Sequence, residues 1–334
     1  MATILKQRQV TNSTAQTAKA TVLIDLGNGD VNAMCRMPGT EKWVTTQFPS
    51  HVTLTSDSNS DCLTLATASG FKNFLVGEQA QAHPCSRTGS SPEGKVINAH
   101  ALLIHSLRQM IGFSTDPIHA DVIFTSPSVK AYGPQIAAQL TGRHPIGIPA
   151  DAEVIGSRAS NHSVSIHTAI PQLEGYQAFK HIQSKVKGHA YLIDIGNRTI
   201  LLTQVSETGR ILKRRAFDAC GVYNLAERIV YRDSLAPQLK TPSPQSVIAY
   251  LLDQKPGKAV IEQIAPDVAA CVGEVLAAMD NASARFIIGG GAKLPGIEQT
   301  LKAKAIKNPQ WANLTALADA ADQLLARAWQ QGVT

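Results

Sequence analysis

The sequence predicts a duplicated α/β fold, and two observations lead to this prediction. One unusual nonapeptide occurs twice, as LIDLGNGDV at residues 23–31 and as LIDIGNRTI at residues 192–200. Each copy runs from an apolar strand through an aspartate into a turn, and then back into a strand. Helical segments and further strands follow each copy, so the second half of the chain repeats the plan of the first.

The composition is typical of a globular protein that lies outside the membrane. The chain is 44% hydrophobic and 17% charged, and no apolar stretch approaches the roughly 20 residues that a membrane span needs. Five cysteines without a CxxC pair indicate reduced thiols, and therefore a cytoplasmic protein. The net charge of +6 is compatible with a nucleic-acid neighbour but does not demonstrate one. Residues 1–19 are predicted to be a loose tail, with a transit peptide as the alternative.

The first half is predicted to contain a hairpin, further strands and one long helix. The predicted β segments are residues 21–37, 42–55 with an interruption at Pro49, 74–78 and 120–127. Over residues 96–111 apolar side chains recur at spacings of three and four, which predicts a helix with one buried face. That face consists of Ile97, Ala101, Ile104, Leu107 and Ile111.

The second half is predicted to start again with a hairpin, at residues 190–205. A helix over 221–232 follows, with Val222, Leu225 and Ile229 on one side. The remaining predicted elements are helices at 244–254, around 266–280 and at 313–329, and a strand at 285–288.

The repeated nonapeptide has a chemistry suited to polyphosphates. In each copy an aspartate, Asp25 or Asp194, ends a buried strand, and the following glycines leave backbone N–H groups open to an anion. Two such hairpins facing each other across a cleft would grip a triphosphate from both sides. The two aspartates would then hold a hydrated Mg²⁺ that offsets the charge of the phosphates. Such a cleft would also be a hinge.

Three motifs resemble those of the superfamily that contains actin, sugar kinases and heat-shock chaperone ATPases. LIDLGNGDVNA (23–33) is similar to its first phosphate motif, LIDIGNRT (192–199) to its second, and FIIGGGAKLPGI (286–297) to its adenosine motif. The three occur in the order of that superfamily. The resemblance implies an actin-like (ribonuclease H-like duplicated) two-domain ATPase fold with a central nucleotide cleft. Domain I would comprise residues 20–182, with 309–334 returning to it, and domain II residues 189–308.

Shorter matches resemble one branch of that superfamily, the plasmid-segregation actins of the ParM/StbA type. They are FPSHV (48–52), FLVGEQA (74–80), VIFTSP (122–127) and PQWANLTAL (309–317). This resemblance implies a filament-forming ATPase that segregates plasmid DNA. The implied partners are further copies of the chain and a DNA-binding adaptor at the plasmid centromere, with no membrane and no direct sequence-specific DNA contact.

The resemblance also implies which residues hold Mg²⁺ and ATP, or GTP in its place. Asp25 and Asp194 would lie around the metal. The implied phosphate-binding residues are Gly27, Asn28, Gly29, Asn32, Gly196, Asn197, Arg198 and Thr199. The segment under the nucleoside would be Gly289, Gly290, Gly291 and Ala292.

The sequence departs from the superfamily pattern at positions that bear on hydrolysis. Asn32 stands where many members have a lysine, and Asn197 stands where glycine is usual. The residue that orders the attacking water is expected at a helix start within 166–179, where Gln172 is the first choice and Glu174 the second. A glutamine positions water but is not a strong base, so slow hydrolysis is expected, with Asp194 required for it.

Alternative interpretations start from other stretches of the sequence. GSSPEGKV (89–96) nearly matches a P-loop, but Val96 lacks the required hydroxyl, so an exposed loop is expected there. A Rossmann fingerprint at 289–291 fails because its third glycine would fall on Leu294. The basic run at 213–215 is interpreted as a solvated strand end. Two alternative functions stay open: a non-polymerising sugar or metabolite kinase, and a nucleotide-binding scaffold with little hydrolysis.

Overall fold

The computed structural model of the chain describes residues 19–332 except for short gaps at 60, 84–86, 89–91, 115–116, 148–153, 156–161, 234, 240, 255 and 282. The predicted tail therefore lies outside the described residues, apart from residue 19. Within them the strands are β1 Ala20–Leu26, β2 Asp30–Arg36, β3 Trp43–Pro49, β4 His51–Thr55, β5 Leu63–Thr67, β6 Gly70–Val76, β7 Arg87–Thr88, β8 Phe113–Ser114, β9 Ile118–Ser126, β10 Gly142–Gly147, β11 Val154–Ile155, β12 Ser163–Leu173, β13 His189–Ile195, β14 Thr199–Ser206, β15 Ile211–Asp218, β16 Ala284–Ile288 and β17 Lys304–Ala305.

Helices follow the strands in both halves of the chain. The α-helices are α1 Glu78–Gln81, α2 Pro92–Ile111, α3 Gly133–Leu140, α4 Val222–Ile229, α5 Pro244–Asp253, α6 Lys258–Ala277, α7 Ile297–Leu301 and α8 Ala312–Gln330. Short 3₁₀ helices span Gln177–His181, Gln183–Lys185, Ala236–Gln238 and Gly290–Lys293. Among the described helices none is long and apolar enough to span a membrane.

Two sheets are built on the same local plan. In a ten-stranded sheet β1 pairs antiparallel with β2 and parallel with β9. In a five-stranded sheet, of order β15-β14-β13-β16-β17, strand β13 pairs antiparallel with β14 and parallel with β16. Each repeated nonapeptide is thus a central strand and its hairpin partner, which confirms the predicted duplicated α/β architecture.

The apolar faces of the sheets are covered by helices. Helix α2 buries Leu102, Leu103 and Ile104 against the first sheet. Helix α4 buries all three residues predicted for its inner side, and packs on the second sheet with α5 and α6. Helix α8 packs on the opposite face of the first sheet, where Leu314 and Leu317 meet Leu23 of β1 and Ile123 of β9. Strand β1 is therefore covered on both faces, as its parallel pairing with β9 requires.

Two helix predictions need correction. Helix α2 begins at Pro92, four residues earlier than predicted, and Ile97 is 75% exposed rather than part of the buried face. Its inner face is centred on Leu103 and Leu107, which turns Ile97 to solvent. Helix α6 was expected around 266–280 but runs from Lys258 and continues through Pro266. Buried residues at helical spacing from Val260 onwards outweigh the hydrogen bond that the proline removes.

Candidate functional site

The first hairpin places Asp25 at the end of β1, opposite Asn32 of β2. The hydroxyl of Thr125, from the neighbouring strand β9, donates to the Asp25 carboxylate. The turn requires glycine, because a Cβ on Gly27 would come 2.3 Å from the carbonyl oxygen of Asp30. The side-chain oxygens of Asn28 and Asn32 are buried without a hydrogen-bond partner among the described residues. Buried polar atoms normally have partners, so these two oxygens are available to a ligand or to water.

The second hairpin is tied to the start of helix α4. The carbonyls of Gly196 and Asn197 accept hydrogen bonds from the amides of Val222 and Tyr223, at 3.1 and 2.7 Å. A Cβ on Gly221 would lie 2.4 Å from the Asn197 carbonyl, so helix and turn are in direct backbone contact. The first amides of α4 are therefore occupied by the hairpin itself.

Arg198 and Thr199 lie at the end of the second turn. The Arg198 guanidinium carbon is 4.6 Å from the centre of the Tyr223 ring, a cation–π contact, and its Nε is buried without a partner in the described part of the chain. The Thr199 hydroxyl is 3.5 Å from the Asp218 carboxylate, at the limit of a hydrogen bond.

The tips of the two hairpins touch. A Cβ on Gly29 would lie 2.8 Å from the Cβ of Asn197, and the amide of Ser50 fixes the first turn by donating to the Gly29 carbonyl at 2.8 Å. Because each hairpin belongs to a different sheet, this contact joins the two sheets next to the strand ends that carry Asp25 and Asp194.

The carboxylates near this contact disfavour one another's ionisation. Burial, and after it the charge of Glu174, raises the pKa of Asp25 to about 6. Burial, and then the charges of Glu174 and Asp25, raise the pKa of Asp194 to about 7, against the opposing charges of Arg214 and Lys95. Raised carboxyl pKa values of this origin are typical of sites that bind cations or perform acid–base chemistry.

Gln172 and Glu174 have different surroundings. The expected helix start is wrong: β12 continues through Gln172 to Leu173, a turn follows, and the next helix begins only at Gln177. The Gln172 amide donates to the Pro171 carbonyl and accepts from the Gln177 side chain, so both ends of its amide are engaged. Glu174 lies in the turn and acts electrostatically on both aspartates. Of the two, Glu174 is the one whose charge acts on both aspartates.

Two cations beside Glu174 were missed by the sequence analysis. Lys95 lies in helix α2 rather than in an exposed loop and is only 4% exposed, although residues 89–91 of that supposed loop lie outside the described part. Its Nζ is 3.3 Å from a Glu174 oxygen. Arg214 is not a solvated strand end, because its Nη1 donates to the Glu174 carbonyl at 2.8 Å. The signals available were the Gly-Lys pair of the rejected P-loop and the basic run at 213–215.

The glycine-rich segment after β16 lies against the second hairpin. Gly289 has a φ of +84°, and a Cβ there would lie 2.5 Å from the Asp194 carboxylate. Gly291 is packed on Ile195, and Ala292 is buried, so both face the protein interior. Gly290 has open space where its Cβ would be. Of the four predicted residues, Gly290 is the one whose surroundings leave room for a ligand.

The donors fit a magnesium ion that is bound together with phosphates. Among the described residues no three His, Cys, Asp or Glu side chains gather closely enough to hold a metal by themselves. Mg²⁺ usually takes one or two carboxylates, with water and substrate phosphates as its other ligands. Asp25 and Asp194, whose mutual repulsion a cation would relieve, supply that number of carboxylates.

The chain has the actin-like fold, and a hairpin from each of its two larger sheets meets the other. Ta0583, an archaeal actin homologue, in its complex with ADP superposes with a TM-score of 0.65 at 17% identity, over 91% of this chain and 99% of that one. Bacillus thuringiensis ParM with ATP gives 0.63 at 14% identity, over 93% and 99%. A ParM filament from Clostridium botulinum, with 15 strands, gives 0.59 at 17% identity, over 92% and 99%.

These superpositions, with TM-scores from 0.59 to 0.65, show the actin-like fold. No family model matches the chain, and no curated protein matches it in sequence.

Proposed function

We propose that the chain binds a purine nucleoside triphosphate with Mg²⁺ between its two hairpins and hydrolyses it. The observation that supports this most strongly is the pair of aspartates on touching hairpins, whose pKa values are raised by burial and by shared negative charge. A bound cation would remove that cost. ATP is the proposed nucleotide and GTP the alternative, because backbone glycines distinguish purine bases poorly.

The predicted hairpin residues and Gly290 have proposed roles in this site. The turn residues of both hairpins, 27–29 and 196–199, and Asn32 would contact the phosphates, while Gly290 would lie under the nucleoside. Asp25 and Asp194 would hold Mg²⁺, which when bound offsets the charge of the phosphates. Domain I (20–182 with 309–334) and domain II (189–308) would close on the ligand from opposite sides.

Glu174 is the proposed acceptor of the proton from water. As the oxygen of the water bonds to the γ-phosphorus, the bond from phosphorus to the β–γ bridging oxygen breaks, and the proton passes to the Glu174 carboxylate. Inorganic phosphate and the nucleoside diphosphate are the products. Gln172 would then order the turn through its hydrogen bond with Gln177.

We further propose that nucleotide binding drives assembly into a filament that segregates plasmid DNA in the cytoplasm. This role is supported by the fold that the chain shares with the ParM subunit of a filament structure. The proposed partners are further copies of the chain and a DNA-binding adaptor. Hydrolysis would weaken the filament and make it dynamic.

Phosphate release and pelleting, each with and without Mg-ATP, test this proposal. Wild-type protein should pellet with Mg-ATP and release phosphate, and Asp194→Ala should abolish release. Glu262→Ala, which removes only a surface ion pair with Lys258, is the control and should behave as wild type. Unchanged release by Asp194→Ala would refute the site.

The same measurements separate the alternative functions. Sugar-dependent production of ADP without pelleting would identify a kinase. Pelleting with nucleotide but without phosphate release would identify a scaffold.

A further inference from the structure

We propose that Lys95 is a positioning residue for hydrolysis, which holds the Glu174 carboxylate beside the two aspartates. This inference rests on the proposed function, because it assigns to helix α2 a part in the reaction of that same site. Nothing in the phosphate or adenosine motifs includes Lys95.

The contact between the two side chains is bidentate and largely buried. The Lys95 Nζ lies 3.3 and 3.4 Å from the two carboxylate oxygens of Glu174. The side chains are only 5% and 17% exposed, respectively. A buried ammonium is tolerated only when it is paired, and a buried pair with little access to water is held more rigidly than a surface one. Lys95 therefore restricts the direction of the Glu174 side chain.

The backbone of Glu174 is fixed by other groups. Its amide donates to the Ser126 carbonyl at 2.9 Å, and its carbonyl accepts from Arg214 at 2.8 Å. The next residue, Gly175, has a φ of +75°, and a Cβ there would lie 2.9 Å from the Asp194 carboxylate. The turn is thus held from both sheets without Lys95. Removal of the Lys95 ammonium should leave the turn in place and release only the carboxylate.

The contacts distinguish positioning from direct binding of phosphate. Both Glu174 oxygens already engage the ammonium, and its side chain has almost no exposed surface left for a ligand. A phosphate ligand would instead need the ammonium to face open space. Loss of Lys95 should accordingly affect the rate of hydrolysis and leave nucleotide binding nearly unchanged.

The test compares kcat and KM for phosphate release in single and double variants. Lys95→Met should lower kcat by about 10- to 100-fold with KM for ATP within about threefold of wild type. Lys95→Arg, which keeps the cation, should recover kcat to within about tenfold of wild type. Lys258→Met is the matched control: like Lys95, Lys258 lies near the start of a helix and pairs with a glutamate, Glu262, but its side chain is 90% exposed. This control should be indistinguishable from wild type.

A double variant shows whether Lys95 acts through Glu174. Lys95→Gln with Glu174→Gln keeps a neutral hydrogen-bonding pair and leaves no buried unpaired charge. It should be as slow as Glu174→Gln alone, because Lys95 has nothing further to position. This comparison also decides the matter if Lys95→Met does not fold.

Three results would overturn the inference or its basis. A further loss of tenfold or more in the double variant would mean that Lys95 acts independently of Glu174. A rise in KM with unchanged kcat in Lys95→Met would make Lys95 a ligand of the nucleotide. Absence of phosphate release from wild type would refute the proposed function itself, and the role of Lys95 with it.

Discussion

The charge of Asp194 destabilises the folded, nucleotide-free protein. Burial and the charges of Glu174 and Asp25 raise its pKa to about 7, so above that pH the ionised carboxylate opposes folding. The neutral isostere in Asp194→Asn should therefore stabilise the nucleotide-free protein at pH 8 by about 1–3 kcal/mol. Urea unfolding measures this. Glu262→Gln, at an exposed ion pair with Lys258, should change stability by less than about 1 kcal/mol.

A loss of stability in Asp194→Asn would contradict the electrostatic description of the site. If Asp194→Asn is more stable than wild type but no longer hydrolyses ATP, the charge of Asp194 serves a ligand at the expense of the stability of the nucleotide-free protein.

His105 provides a pH-dependent prediction away from the site. It is buried edge-on against Phe48, and burial, with the charge of Arg108, lowers its pKa to about 4. The unfolded chain takes up a proton near pH 6.5 and the folded chain only near pH 4, so this contribution to stability is complete above pH 6.5 and is lost as the pH falls towards 4. The destabilisation caused by His105→Gln should therefore shrink by about 1–2 kcal/mol between pH 7.5 and pH 5.

The variant must be compared with wild type at each pH, because Asp25 and Asp194, whose pKa values are raised, change the stability with pH in the opposite direction to His105. Their contribution to stability grows as the pH falls, and it cancels in the difference. Urea unfolding at several pH values measures that difference. A difference that stays constant with pH would show that His105 is not held neutral by the fold.

Some residues of the candidate site could be predicted from the sequence, and others could not. Asp25 and Asp194 end equivalent strands of a repeated motif, so the pattern places them in equivalent positions. Lys95 and Arg214 meet Glu174 across 79 and 40 residues of chain, respectively. Neither belongs to a local pattern, because their partners are set by the way that the helix and the sheet edge pack. Such contacts need coordinates.

At the scale of elements, the contact between α4 and the second hairpin is steric. Gly221 and Gly257 each precede a helix in an extended backbone conformation that alanine also adopts. A Cβ on Gly221 would lie 2.4 Å from the Asn197 backbone, whereas one on Gly257 would meet open space. Gly221→Ala should therefore cost about 1–3 kcal/mol and weaken nucleotide binding by displacing the turn.

Gly257→Ala is the control for the same substitution at a helix start and should cost less than about 1 kcal/mol. Unfolding in urea and titration with a fluorescent ATP analogue measure both effects. Equal behaviour of the two variants would show that the α4 contact does not support the turn.

Elements with strong periodicity were predictable, and elements defined by long-range pairing were not. The inner side of α4 repeats at helical spacing, and all of its predicted residues are buried. Around Gln172, strand β12 pairs with β9, and Gln172 itself lies opposite Thr125, which is 47 residues earlier in the chain. No local signal in the sequence distinguishes this strand from a helix start. Ile97 satisfied the helical spacing of α2 but lies beyond the edge of its covered face.

For the whole molecule, the important feature is that loops of both sheets meet at one place. The first sheet contributes the first hairpin and the turn containing Glu174, and the second contributes the second hairpin and the glycine-rich segment at 289–292. The repeat in the sequence predicted the two hairpins, whereas their contact depends on how the sheets pack. A ligand bound there would couple the two sheets, which is the basis of the proposed hinge.

Hydrogen–deuterium exchange with and without Mg-ATP tests most directly the claim that one nucleotide is held by both hairpins. We predict that saturating Mg-ATP slows amide exchange together at 27–29, at 196–199 and at 289–292, and that Asp194→Ala loses all three effects. Slowing confined to the loops of one sheet, or no slowing at any of the three segments, would contradict the account.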